Sequence, residues 1–223
     1  MYGGNWIIFV LPALIFAGYA QRKITNTFSK YLKVPSNSGL NGSQLARFIL
    51  DRNGLENVKI EQVAGNLTDH YDPRTGILRL SQNVYSGSSI ASVSVAAHEV
   101  GHAIQHSEGY FPLMLRNNIA PIVNISSRMV WIFIILGFLI SPFFINIGIG
   151  LFLAIVLFQV VTLPVELNAS NRAMVQLEQG LVPNESLKPA REVLDAAALT
   201  YVAATLVAVG QFFRLLSMTN RRR

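Results

Sequence analysis

His98 and His102 stand four residues apart in His98-Glu99-Val100-Gly101-His102. On a helix that spacing puts both imidazoles on one face, where both can reach one Zn²⁺ ion. Glu99 follows the first histidine, beside the position a catalytic zinc keeps open, and is placed to act as a general base. Zinc lowers the pKa of bound water toward about 7 in favourable sites, so Glu99 has only to take one proton and pass it on. Ala96-Ala97 before the motif and Gly101 within it leave room for close packing around a metal. The chemistry of such a set is metal-assisted hydrolysis. The plain alternative is a pair of helix-surface or hydrogen-bonded core histidines.

A catalytic zinc takes three protein ligands, and the sequence offers four residues for the third place. His106 lies about 12 Å beyond His98 on an unbroken helix, so it reaches the same ion only if the helix breaks. Gln105 stands where the longer H-x-x-G-x-x-H continuation would need glycine. Asp195 heads the last apolar run, the arrangement of intramembrane zinc proteases, and His70 falls in an expected hairpin. Glu166 is the strongest of the four. It ends a long uncharged run just after Pro164-Val165, and a carboxylate abutting a membrane segment is costly unless paired and is often functional. Its alternative role is an interfacial acid at a helix N-terminus, favoured by the helix dipole.

The elements that must hold these residues can be read from periodicity. Ser43 to Asn53 reads as a short helix with Ser43 as N-cap, apolar residues on one face and Asn53-Gly54 as its stop. Val58 to Val63 alternates as a half-buried strand. Leu67 to Tyr71 and Ile77 to Leu80 flank the turn Asp72-Pro73-Arg74-Thr75-Gly76, giving a small sheet that ends in a hairpin. A long helix from about Ser88 to Ser107 carries the motif.

The rest of the chain is unusually apolar. Its 223 residues are 51% hydrophobic and 13% charged, with a mean hydropathy of +0.39. Globular chains carry about 25% charged residues, which argues against an ordinary cytosolic enzyme and a disordered chain alike. With no cysteine, disulfides, thiolate zinc sites and cysteine nucleophiles are excluded. The net charge of +6 fits basic residues flanking membrane spans. No cluster of basic residues with exposed aromatics marks a nucleic-acid binder.

Residues 1–21 carry no charge, and no Lys or Arg precedes the apolar run, so a retained anchor is expected rather than a cleaved signal peptide. Met129 to Val165 gives 37 residues without a charge. As one helix that would be about 55 Å long, against a bilayer core of about 30 Å. A two-span hairpin broken near Ser141-Pro142 fits better, its first helix starting near Asn118 with Arg128 snorkelling. Ala196 to Phe213 is expected to be a fourth span, with a buried core helix as the alternative. Arg22, Lys23, Lys30 and Lys33 crowd the first anchor and place the polar regions on the cytoplasmic side. The terminal Arg221-Arg222-Arg223 conflicts with that placement if the last run spans.

Longer motifs carry a resemblance. Leu67-Thr68-Asp69-His70-Tyr71-Asp72-Pro73-Arg74, Leu78-Arg79-Leu80-Ser81, the stretch from Ala96 to His106 and the stretch from Leu163 to Ala173 resemble, in order, the YugP-type family of bacterial membrane zinc metallopeptidases. That family is similar in plan to HtpX-like and CAAX-prenyl-type membrane proteases, in which a motif helix gives two His and a later helix gives a Glu. The resemblance implies His98, His102 and Glu166 as zinc ligands and Glu99 as base. Asn168 stands where such sequences often have Asp, and Ser170 where HtpX-like ones have Asp, so no carboxylate there orients a ligand histidine.

The expectation is therefore a mainly α membrane protein with about four transmembrane helices and a small α+β zincin-like metallopeptidase domain. Residues 1–21 form the anchor, 22–117 the zincin-like domain, 118–165 the hairpin, 166–195 the second half of the metal site, and 196–223 a last span and basic tail. The expected activity is zinc-dependent endopeptidase cleavage of a peptide or membrane-protein substrate, in a bacterial plasma membrane. His70, Tyr71 and Arg172 are the donors considered for stabilising an oxyanion. A zinc-binding adaptor or chaperone without catalysis, and an intramembrane protease with the motif helix inside the bilayer, are the alternatives. Glu99 argues against the first, since a structural zinc has no use for a base.

Overall fold

The structure is a computed structural model that describes residues 5–219. Seven helices and three strands follow in the order α1 (Asn5–Tyr31), α2 (Gly42–Arg52), β1 (Lys59–Val63), β2 (His70–Asp72), β3 (Ile77–Ser81), α3 (Gln82–Tyr85), α4 (Ile90–Ser107), α5 (Phe111–Leu139), α6 (Phe143–Glu178) and α7 (Asn184–Thr219). They divide into two compact units. One comprises Arg22–Tyr110 and Val165–Ala198; the other comprises Met1–Gln21, Phe111–Pro164 and Leu199–Arg223.

The first unit is built around α4. Ser89 caps it by accepting from the Ser92 backbone N–H, one of the donors a helix start leaves unpaired. Small side chains (Ala91, Ala96, Ala97, Ala103) let other elements close on it from several sides. The amphipathic face of α2, with Leu45, Ala46, Ile49 and Leu50 fully buried, packs into the same core. The N-cap of α2 is Asn41 and not Ser43. Its side chain accepts from Gln44 N, and the Gln44 side chain accepts from Asn41 N, a reciprocal capping box that satisfies two orphan donors. Gly42 cannot be enlarged, since a Cβ there would lie 2.1 Å from Val84 O.

The sheet has the order β1-β3-β2, with β1 parallel to β3 and β2 antiparallel to it. The expected hairpin is present, but its first strand starts at His70 and not at Leu67. Gly65 and Leu67 both have positive φ, 106° and 55°, so the chain turns there before it can extend. Asp69 then ties the strand start to the end of β3, accepting from Ser81 N and Ser81 Oγ.

In the second unit α5 ends at Leu139 and α6 starts at Phe143, so the helices break at Ser141-Pro142 as expected. α5 begins at Phe111, earlier than the expected Asn118, because Pro112 in its first turn gives up an N–H that would have no partner there. Val130, Ile134 and Leu215 form a small buried cluster, and many other apolar side chains are exposed.

Among the described residues three helices are long and apolar enough to cross a membrane: α5, α6, and Asn184–Ser217 of α7. Three of the four expected spans are thus found among the described residues, and α1 is not one of them. The apolar stretch of α1, Trp6 to Ala20, rises only about 22 Å before Arg22 and Lys23. α4, which carries the histidines, is not among the three. The beginning of the expected anchor, residues 1–4, and the basic tail Arg221-Arg222-Arg223 lie outside the described residues.

Candidate metal centre

One helical turn sets His98 and His102 side by side on α4, their rings 4.8 Å apart and nearly perpendicular at 86°. Glu166 comes to them from α6, with Oε2 3.2 Å from His98 Nε2 and 3.4 Å from His102 Nε2. The three side chains are only 11%, 10% and 5% exposed.

The approach depends on Gly101. A Cβ at that position would lie 2.6 Å from the backbone oxygen of Ala169, so only glycine lets α4 lie this close to α6. Ala169 and Ala173 are themselves fully buried on the facing side. The small residues of the sequence motif thus set the distance between the helix with two ligands and the helix with one.

These donors suit zinc. Ligands at about 2.0–2.2 Å from a tetrahedral ion stand roughly 3.4 Å from each other, close to the two His–Glu separations. The donor atoms of His98, His102 and Glu166 all lie within 4.8 Å of one another. Two imidazoles and one carboxylate are also the donor types of a catalytic site with a position left open.

Glu99, between the histidines in sequence, is buried, and its Oε2 accepts from Tyr71 N at 3.1 Å. Burial pushes its carboxyl up to about 7; the nearby His98 pulls it down, and Glu166 and Asp69 push it up. The Asp69 carboxyl is likewise raised by burial, although Ser81 hydrogen bonds oppose this.

The other residues considered from sequence are placed as follows. His106 leaves the metal group and pairs with Tyr71, its Nδ1 2.9 Å from the phenol oxygen. Asp195 is exposed on α7, and His70 is exposed with Nδ1 2.8 Å from Thr68 O. Arg172 is engaged by Glu108 at 2.7 Å and donates to Asn168 Oδ1 at 2.7 Å. Ser170, in place of a carboxylate, sets its hydroxyl 3.2 Å from His98 Nδ1. Sequence reasoning missed Gln105, which is fully buried and contacts His102 Nδ1 at 3.0 Å. The one signal for it was its spacing of three residues from His102.

A protein-family model described as "Putative neutral zinc metallopeptidase" matches residues 6–220. The chain belongs to that family. It is also 47% identical over 211 residues to "Putative membrane protease YugP" of Bacillus subtilis (strain 168), an alignment covering 94% of each protein. No solved structure matches. Membership implies zinc, and the His98–His102–Glu166 group is where this family member can hold it.

Proposed function

We propose that the chain is a membrane-embedded, zinc-dependent endopeptidase in which His98, His102 and Glu166 hold the ion and Glu99 is the general base. The observation that carries this reading is the convergence of three shielded donors from two helices, with a buried carboxylate next to them in sequence. A zinc ion held there supplies Lewis acidity, polarising a peptide carbonyl and acidifying water.

The chain's own residues do the rest. Glu99 takes a proton from the attacking water and returns it to the leaving amine. Tyr71 N–H holds Glu99 Oε2 and so fixes which oxygen is free for that transfer. β2 is an edge strand, and an extended peptide pairs with such an edge through main-chain hydrogen bonds. His70, Tyr71 and Arg172 are the donors proposed for the oxyanion, and each must turn from the partner described above to serve it. The substrate is a peptide or a membrane protein, and the surrounding lipid is the other partner. Arg22, Lys23, Lys30 and Lys33 support a cytoplasmic site.

The test is elemental analysis and a peptide-cleavage assay on purified wild type, Glu99→Gln and Glu166→Ala. Wild type and Glu99→Gln are expected to hold about one zinc per chain, as a single three-ligand site requires, and Glu166→Ala to lose it. Glu99→Gln is expected to lose roughly 10²–10⁴-fold in cleavage rate. Folded wild-type protein without metal would overturn the reading.

A further inference from the structure

We infer that Gln105 is a positioning residue that fixes the tautomer of His102, so that Nε2 presents its lone pair to the metal site; the inference rests on the metal reading above. It starts at a main-chain atom. Gln105 is completely buried, and its amide end lies 2.8 Å from Val165 O and 2.9 Å from Asn168 Oδ1. A backbone carbonyl can only accept, so the group facing Val165 O is the Gln105 NH₂. The Oε1 atom must then face His102 Nδ1, 3.0 Å away. An amide oxygen can only accept, so His102 Nδ1 carries a hydrogen, and in the neutral ring that binds a metal Nε2 is left bare. That Nε2 is the atom 3.4 Å from Glu166 Oε2.

The orientation is held from behind. Asn168 Oδ1 also accepts from Arg172 Nε at 2.7 Å, so the Asn168 oxygen, not its NH₂, is turned toward Gln105. Arg172 is anchored in turn by Glu108 at 2.7 Å. Turning the Gln105 amide over would put its oxygen against two acceptors and its NH₂ against His102. A ligand histidine is commonly held by an acceptor on its other nitrogen, and losing that acceptor typically costs 10–100-fold in metal affinity.

His98 lacks such an arrangement. Its Nδ1 faces Ser170 Oγ at 3.2 Å, and a hydroxyl can donate as readily as accept. The tautomer is therefore imposed on one ligand histidine through Gln105, and the other keeps either option.

Zinc affinity is measured on the full chain in detergent by competition with a chromogenic chelator, for wild type, Gln105→Met and Gln105→Glu. Gln105→Met, equal in length but with no acceptor, is expected to bind roughly 10–100-fold more weakly. Gln105→Glu keeps an acceptor toward His102 and, as a buried acid, carries its proton on the oxygen facing Val165 O, so it is expected to bind zinc at least about threefold more tightly than Gln105→Met. A packing role alone would make the two variants fall together, and that result would overturn the inference. Equal affinity in wild type and Gln105→Met would overturn it too, with the metal site left standing. Wild type without zinc affinity would remove the metal site itself. A second measurement needs no variant at position 105. The chain has 4 histidines, so ¹⁵N-histidine spectra of metal-free protein can be assigned. His102 is expected to keep a protonated Nδ1, and a His102 whose only proton sits on Nε2 would overturn the inference.

Discussion

The same helix, α6, is approached closely twice, once in each unit, and the two approaches are fastened differently. In the unit that holds the metal centre, α4 meets α6 at Gly101, where an added Cβ would come 2.6 Å from Ala169 O. In the other unit α5 meets α6 at Gly137, where an added Cβ would come 2.8 Å from Ile145 N. Around Gly101 the neighbouring contacts are directional: Gln105 donates to Val165 O and Asn168, and Ser170 faces His98. In the second unit the buried cluster, Val130, Ile134 and Leu215, is wholly apolar. A small residue sets how near two helices come. The hydrogen-bonded pair also has its rotation and register specified, because aliphatic contacts tolerate small slips that hydrogen bonds do not. Between helices in lipid, close van der Waals packing at small residues is itself a main source of association.

The largest effect expected from this contrast comes from enlarging the two glycines. Gly101→Val should push α4 away from Ala169 and separate His98 and His102 from Glu166, reducing bound zinc to background in elemental analysis. Gly137→Val meets the Ile145 side chain and backbone and should destabilise the fold by about 1–3 kcal/mol, as overpacking does. Its folded fraction should keep its zinc. Equal loss of zinc in both variants would break the comparison.

That contrast also explains what could be read from the sequence. His98, Glu99 and His102 were legible because their geometry is local: any α-helix puts i and i+4 on one face. The break between α5 and α6 was legible from Ser141-Pro142 for the same reason. Glu166 was readable as a charge at the end of an apolar run, but its meeting with α4 depends on Gly101 lying on Ala169, a contact between residues far apart in sequence. Gln105 shows the limit most clearly, since its role comes from Val165 O, a main-chain atom that no side-chain pattern reveals. Asn41 and Gln44 have capping-box spacing in plain view, three residues apart, yet the nearer Ser43 looked like the cap. The parallel pairing of β1 with β3 was not legible, because the strands' own alternation does not say which neighbour each will find.

A substitution of intermediate size sharpens the comparison by asking what solvent each unit meets. Ile135 on α5 and Val175 on α6 are exposed to similar degrees, 56% and 52%. Both lie on helices long and apolar enough to span a membrane, but Ile135 belongs to the second unit and Val175 to the unit holding the metal centre. Ile135→Asp should raise the apparent insertion free energy of its segment by about 3 kcal/mol. Val175→Asp should change stability by no more than about 0.5 kcal/mol, as for an ordinary surface substitution. A translocon-insertion assay and thermal melting read the two effects, and equal penalties would show that exposure alone, not the surrounding solvent, sets the cost.

The smallest expected effect lies within the metal-binding unit, at the two ends of one short stretch of chain. Asp69 and Asp72 bracket β2, yet their carboxyls move in opposite directions. Burial raises Asp69 above the ordinary aspartate range. Asp72 is lowered, chiefly by the Thr75 hydroxyl and the Arg74 backbone N–H, with help from Arg79. The linkage signs differ accordingly. For Asp72 the folded state binds its proton less tightly than the unfolded chain does, so its stabilisation is present above the unfolded value of about 3.9 and is lost as pH falls through the lower folded value. For Asp69 the folded state binds the proton more tightly, so its stabilisation is present at low pH and is lost as pH rises through the higher folded value. Carboxyl ¹³C titration should place Asp69 above and Asp72 below the ordinary aspartate value. In Asp72→Asn the loss of stability on acidification should shrink, because the group whose protonation weakens the turn is gone. Two carboxyls titrating together would mean that burial at Asp69 and hydrogen bonding at Asp72 do not differ as the contacts with Ser81 and Thr75 require.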